Sequence, residues 1–153
     1  LDFGFASDPA AFVKQYYDSS KKTLYVFDEG GGTGLTDPQL ATAVKQLIGN
    51  DEVICDSAEP KSITHLQNAG IRARGVKKGP GSIETSYKWL LSIQIVIHPR
   101  CVNLKRELQT HQWQADKHGN TLPKPEDRNN HWIDALRYGL SDYWNGMGGF
   151  EVW

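Results

Sequence analysis

Near the C-terminal end of the sequence, Asp127, His131 and Asp134 recur at spacings of four and three. On an α-helix that begins early enough, this spacing sets all three along one face. Anionic oxygens beside a neutral imidazole are what a hard or borderline divalent cation binds. Each residue also has a plainer reading: Asp127 as a helix cap, His131 on the surface, Asp134 paired with Arg137 one turn on. Chemistry therefore requires partners from elsewhere in the chain. Asp2, in a strand-like opening stretch, and Asp56, closing the apolar run Val53-Ile54-Cys55, are the candidates. In α/β sheets, functional side chains gather at strand ends near a change of topology. If the two strands are neighbours, Asp2 and Asp56 can face one another and the last helix can bring Asp134 across. Three carboxylates that close repel strongly unless cations lie between them. Two divalent ions roughly 3.5–4 Å apart would resolve the repulsion and support phosphodiester hydrolysis.

The elements that must position these residues follow from pattern. Residues 1–6 alternate apolar with small or polar, as a half-buried strand does, and Ser7-Asp8-Pro9 makes a turn. Residues 11–17 and 23–27 read as two more strands, giving a three-stranded antiparallel meander. The glycine-rich stretch 30–34 reads as a flexible linker. It is no P-loop, because Leu35 stands where a lysine would be required. Thr36-Asp37-Pro38-Gln39 is a capping box opening a helix that ends at Gly49-Asn50. Helices are predicted over 60–68, 80–91 and 103–108, and strands over 53–56, 71–76 and 93–97. Residues 109–115 and 120–122 bracket Asp116-Lys117-His118-Gly119 as a β-hairpin. The final helix carries the stripe Trp132, Leu136, Leu140 and Tyr143. The pattern predicts a mixed α/β sheet, an antiparallel meander plus parallel strands, with helices on both faces. One domain spans residues 1–144, and 145–153 form a flexible Gly-rich tail in which Phe150 and Trp153 could dock.

With 153 residues the chain is long enough for one full core and too short for two comfortable ones. Cys55 and Cys101 give no disulfide framework, and Cys55 reads as a buried thiol suited to a reducing cytoplasm. No apolar run reaches membrane-spanning length and no signal peptide is evident; a start at Leu1 reads as a domain cut from a longer protein. Formal net charge is -1, yet residues 61–83 carry Lys61, Arg72, Arg74, Lys77 and Lys78 with no acid, a segment of +5 against -6 for the remainder. A basic patch beside an acidic pocket suits a polyanion held over metals, although five such charges can also be an ordinary solvated face.

Four stretches together carry a family resemblance: residues 1–10, Asp56-Ser57-Ala58-Glu59-Pro60-Lys61-Ser62-Ile63, Lys77-Lys78-Gly79-Pro80-Gly81-Ser82-Ile83, and Asn130-His131-Trp132-Ile133-Asp134-Ala135-Leu136-Arg137-Tyr138. In this order they resemble the C-terminal nuclease domain of the large terminase subunit of tailed bacteriophages. The resemblance implies an RNase H-like fold, with Asp2, Asp56 and Asp134 as catalytic metal ligands and His131 as an additional ligand. It further implies a metal-dependent endonuclease using two divalent ions, Mn2+ or Mg2+, to cut double-stranded DNA during viral genome packaging, largely without regard to sequence. The implied partners are the packaging ATPase domain of the same full-length chain, a small terminase subunit and the capsid portal, with no membrane, in the host cell cytoplasm. The glycine-rich stretch departs from the family, whose members carry bulkier residues there. Two other readings stand beside this one: another RNase H-like nuclease, such as a junction resolvase or an RNA–DNA hybrid cutter, and a non-catalytic DNA-clamp or docking module.

Overall fold

A computed structural model describes residues 1–148. Its centre is a mixed sheet built in two halves. In the first half, β1 (Ala10–Asp18) and β2 (Thr23–Gly32) form an antiparallel hairpin, and β5 (Gln94–Ile97) lies parallel to β2 on its other side. In the second, β3 (Val53–Cys55) and β4 (Ala73–Gly75) pair in parallel. The first two residues stitch the halves together. Asp2 exchanges two backbone hydrogen bonds of 2.8 Å with Ala11, the Leu1 nitrogen donates to the Ile54 carbonyl at 2.7 Å, and the Asp56 N–H donates to Leu1 at 2.8 Å. Residues 1 and 2 thus run antiparallel to β1 and parallel to β3.

This stitch replaces the six-residue strand that alternation predicts over 1–6. Gly4 sits at φ 69°, and a Cβ there would come within 2.6 Å of the Asp8 and Pro9 carbonyl oxygens. Ala6, at φ 54°, is also left-handed. The chain turns away after one bridge, so the three-strand meander is a hairpin plus a single rung.

Among the described residues, six α-helices cover the sheet: α1 (Asp37–Ile48), α2 (Pro60–Asn68), α3 (Ser82–Leu91), α4 (Val102–Thr110), α5 (His131–Gly139) and α6 (Ser141–Trp144). The Thr36–Gln39 capping box forms as expected, with Gln39 N–H donating to Thr36 Oγ1 and the Thr36 N–H to Gln39 Oε1. Two apolar clusters lie on opposite faces. One joins Leu1, Ala10, Phe12, Val53 and Cys55 to α1 and α2; the other joins Ala11, Leu24, Val26 and Ile54 to α3, α4, α5 and α6. Neighbouring strand residues divide between the clusters because successive side chains point to opposite faces.

The flexible linker expected at 30–34 is in part a strand. Gly30, Gly31 and Gly32 pair with Phe12, Ala11 and Ala10 in β2. The glycines are there for contact: a Cβ on Gly31 would approach the Ala10 carbonyl oxygen to 2.0 Å, and one on Gly30 would enter the Phe12 ring. The fourth helix runs on to Thr110, which shortens the first hairpin arm to β6 (Trp113–Ala115), paired with β7 (Thr121–Pro125). Asn145–Gly148 form a 3-10 helix at the start of the stretch read as a tail. Phe150 and Trp153 lie outside the described residues.

Candidate metal centre

Parity along the sheet decides where the acids point. Leu1 and Cys55 belong to the cluster under α1 and α2, whereas Ile54 belongs to the cluster under α5. Asp2 follows Leu1 and Asp56 follows Cys55, so both carboxylates project toward the α5 face. Helix α5 packs on β1 and β3 and offers His131 and Asp134 from its first turn. Asp2, Asp56, His131 and Asp134 consequently line one pocket of about 310 Å³, together with Asp8, Glu59, Asp127, Asn130 and Tyr138.

Helix α5 is held from outside at both ends. Its own N-cap residue, Asn130, makes no side-chain cap. The buried Glu107 of α4 supplies one instead: its Oε2 accepts from the Ile133 N–H at 2.9 Å. Burial raises the Glu107 carboxyl above its usual range, while the hydrogen bonds from the backbone of Ile133, Trp132 and His131 pull the other way. At the far end, Gln15 Nε2 donates to the Leu136 carbonyl and Trp144 Nε1 to that of Arg137. Orphan groups at helix ends are costly when buried, so these three side chains fix where α5 stops and starts.

Each acid is engaged by a basic group. His131 Nδ1 lies 3.0 Å from Asp2 Oδ2, and its Nε2 lies 3.7 Å from Asp8 Oδ1. Lys78 Nζ donates to Asp56 Oδ1 at 2.6 Å and to the Tyr138 hydroxyl at 3.3 Å. Arg137 donates to Asp134 Oδ1 through Nε at 3.2 Å and Nη2 at 2.9 Å, with Nη1 anchored on Ser86 Oγ. Burial pushes the Asp134 carboxyl up; Arg137 opposes the shift and the charges of Asp2 and Asp127 add to it. The Tyr138 hydroxyl is raised well beyond the ordinary phenol range, first by burial and then by Asp134 and Asp56.

The residues read from the sequence fall into three groups. Asp2, Asp56, His131 and Asp134 come together. Asp127 arrives without the helix that its spacing invoked: Asn129 adopts φ 48°, α5 begins at His131, and Asp127 reaches the pocket from a loop. The plainer reading is right about Asp134 and Arg137, which do pair. The basic residues disperse. Arg74 is tied to Glu52 and Asp142 at 2.8 Å each, and Lys78 turns to Asp56. Lys61, Arg72 and Lys77 are exposed and form no ion pair among the described residues. Three contributors escaped the sequence reading. Asp8 sits in a turn, Glu107 in an amphipathic helix and Asn130 just before α5; only the acid beside Pro9 carried any local signal.

Three carboxylates and an imidazole on one wall suit a hard or borderline divalent ion in donor type. Among the described residues, no three His, Cys, Asp or Glu side chains are drawn close enough to form a ready-made metal cluster. Next to this pocket, a groove of about 410 Å³ shares Asp127, Asn130 and Asp134 with it and is lined by Gly79, Ser82 and the hairpin residues Gln114 and Lys124.

A mixed sheet with acids on adjoining central segments and on a closing helix is the arrangement of the RNase H-like class. The family described as "Terminase RNAseH like domain" matches residues 2–142, and the chain belongs to it. Among curated proteins, the large terminase subunit of Bacillus phage SPP1 is 40% identical over 158 residues, covering 100% of this chain and 37% of that one. The PBSX phage terminase large subunit of Bacillus subtilis is 34% identical over 145 residues, covering 94% and 34%. The chain thus spans about a third of the length of these relatives. Among solved structures, the large terminase nuclease domain of bacteriophage SPP1 with bound Mn superposes with a TM-score of 0.87 at 40% identity, over 93% of this chain and 83% of that one. The P22 large terminase nuclease domain gives 0.72 at 18% identity over 92% and 77%, a likeness of fold. No helix among the described residues is long and apolar enough to cross a membrane.

Proposed function

We propose that this domain is a divalent-metal-dependent endonuclease that cuts double-stranded DNA during viral genome packaging. The observation that carries the reading is the convergence of Asp2, Asp56 and Asp134 on one pocket in a chain of this family. Asp2, Asp56, Asp134 and His131 would hold the metal ions, with Asp2 as the ligand proposed to be common to both. When bound, a pair of Mn2+ or Mg2+ ions supplies Lewis-acid charge for the attacking water and the leaving 3′ oxygen. The Mn in the SPP1 domain supports that choice of ion.

The chain's own residues bind and orient. Arg137, locked on Ser86, fixes the rotamer of Asp134. Glu107 fixes the start of the helix that bears His131 and Asp134. Tyr138, kept protonated, offers a neutral hydroxyl beside Asp56 and Lys78. Exposed Lys61, Arg72 and Lys77 supply phosphate contacts, which position a duplex without reading its bases. Cleavage is therefore largely independent of sequence. The hairpin β6–β7 lines the adjoining groove and gates access to the acids.

A wider assembly is supported by the relatives being large terminase subunits of which this chain spans a part. A packaging ATPase domain in the same full-length chain, a small terminase subunit and the capsid portal choose the cut site, in the host cell cytoplasm. The direct test is Mn2+-dependent nicking of supercoiled plasmid by the wild-type chain and by Asp2→Asn, Asp56→Asn and Asp134→Asn. Activity in the wild type alone upholds the reading; full activity in any of the three removes that residue from it.

A further inference from the structure

The three acids are engaged by basic groups in unequal ways, and the inequality singles out Lys78. Arg137 is immobilised: its side chain is 5% exposed, it is bonded to Ser86 as well as Asp134, and it lies over the rings of Tyr87 and Tyr138. His131, as a neutral imidazole, has one lone-pair nitrogen and can itself ligate a cation. Lys78 is neither fixed nor a ligand. Its side chain is 39% exposed, it extends from the irregular segment between β4 and α3, and its ammonium spans Asp56 Oδ1, the Tyr138 hydroxyl and the Tyr138 ring face at 4.7 Å. Asp56 Oδ1 also accepts from the Ala58 N–H at 3.1 Å, so the oxygen nearest Lys78 is fully occupied. An ammonium at 2.6 Å and a divalent ion cannot share that oxygen, because like charges so close repel strongly.

We propose that Lys78 is a stand-in cation at Asp56, displaced jointly by the divalent metal and by a DNA phosphate, so that metal uptake and DNA binding reinforce each other. This rests on the metal-site reading of Asp2, Asp56 and Asp134. The geometry supplies Lys78 with a second partner: it stands next to exposed Lys77 and precedes Gly79 and Ser82, which line the groove beside the acid pocket. A phosphate moving along that groove offers the ammonium an oxygen to replace Asp56. The metal then meets a free carboxylate, and the lysine changes role from occupying the site to holding the substrate. Free protein is thereby kept from loading metal tightly, and loading follows DNA. Coupling of this kind is reciprocal: whatever factor DNA adds to metal affinity, metal adds to DNA affinity.

The experiment reads metal affinity, not cleavage. Mn2+ binding to this chain is measured by titration calorimetry for wild type, Lys78→Met, Lys78→Arg and Lys77→Met, each with and without a short nuclease-resistant phosphorothioate duplex. Without DNA, Lys78→Met is expected to bind Mn2+ about thirtyfold more tightly than wild type, the water-screened limit for one positive charge facing a divalent ion at ~4 Å. In the DNA-free titration, Lys78→Arg, which keeps the cation at Asp56, is expected to stay near wild type, and Lys77→Met serves only to show that removing a neighbouring charge without a contact to Asp56 does not reproduce the gain. DNA is expected to tighten Mn2+ binding in wild type and to add little in Lys78→Met. Equal DNA-free affinity in wild type and Lys78→Met, or undiminished DNA coupling in Lys78→Met, overturns the proposal. If Lys78→Met fails to give a native circular-dichroism spectrum, Lys78→Gln answers the same question. Absence of Mn2+ uptake by every form is a different result: it removes the metal site itself, and this inference with it.

Discussion

The acids and the bases of this molecule are organised in opposite ways. Asp2, Asp56 and Asp134 are far apart in sequence, yet the sheet and α5 bring them to one pocket. The five bases between Lys61 and Lys78 are close in sequence and scatter in space, two of them spent on internal ion pairs. The acids sit on elements whose backbone is fixed by ladder bonds and by outside caps. The bases sit on α2, just before and on the short strand β4, and on the segment after it, where side-chain direction is set locally. Convergence is therefore a property of topology, and a run of like charge is not by itself a surface.

The sharpest way to break this contrast is to remove one acid. Asp56→Asn is expected to lower Mn2+-supported plasmid nicking by more than about a hundredfold, beyond the 10–100-fold typical of residues that only support a ligand. Its far-UV circular dichroism should match wild type. A loss confined to a few-fold would make Asp56 a peripheral charge.

The outside cap comes next. Glu107→Ala strips the buried acceptor from the first turn of α5 and is expected to cost roughly 1–3 kcal/mol in urea unfolding, the usual penalty for a buried group left unpaired. Glu107→Gln keeps an acceptor and should cost less. If neither variant is destabilised, α5 is located by packing alone.

On the basic side, Lys61→Ala, Arg72→Ala and Lys77→Ala should each flatten the salt dependence of DNA binding, by up to about one unit of slope for every phosphate no longer neutralised. Arg74→Ala should leave the slope alone and lose up to ~1 kcal/mol of stability, since its pairs with Glu52 and Asp142 are partly exposed. A slope change in Arg74→Ala and none in the other three would reverse the assignment.

The smallest expected effect is at the hairpin base. Tyr87 Oη lies 3.0 Å from His111 Nε2, the two rings stack at 5.4 Å, and burial lowers the His111 imidazole below 6.5. A base whose folded value is depressed contributes stability that is present above its unfolded value and lost as pH falls through the folded one. Between about pH 7.5 and about pH 5, near the range where histidine titrates, the melting temperature of wild type should fall more than that of His111→Gln. Parallel curves would show that His111 is free to charge in place.

Much of the fold was legible because its signals are local. The Thr36 capping box, Pro60 opening α2, and the apolar runs of β3 and β5 act within a few residues of themselves. What misled was also local. Alternation over 1–6 cannot register that Gly4 must be left-handed to clear Asp8 and Pro9, and the glycines at 30–32 look like a linker until Phe12 and Ala10 lie across from them. For the site, residue types in the four matching stretches pointed to Asp2, Asp56, His131 and Asp134. Glu107 depends on which elements become neighbours, as does the inward turn of Lys78, and no spacing encodes that.

The central claim is that these four residues hold divalent metal. A crystal of this chain soaked in Mn2+ and measured at the manganese absorption edge tests it most directly. The expected result is an anomalous peak about 2.0–2.6 Å from oxygens of Asp2 and at least one of Asp56 and Asp134, the span of hard-cation distances to oxygen. Strong Mn2+ peaks elsewhere on the molecule, with none at Asp2, would contradict it.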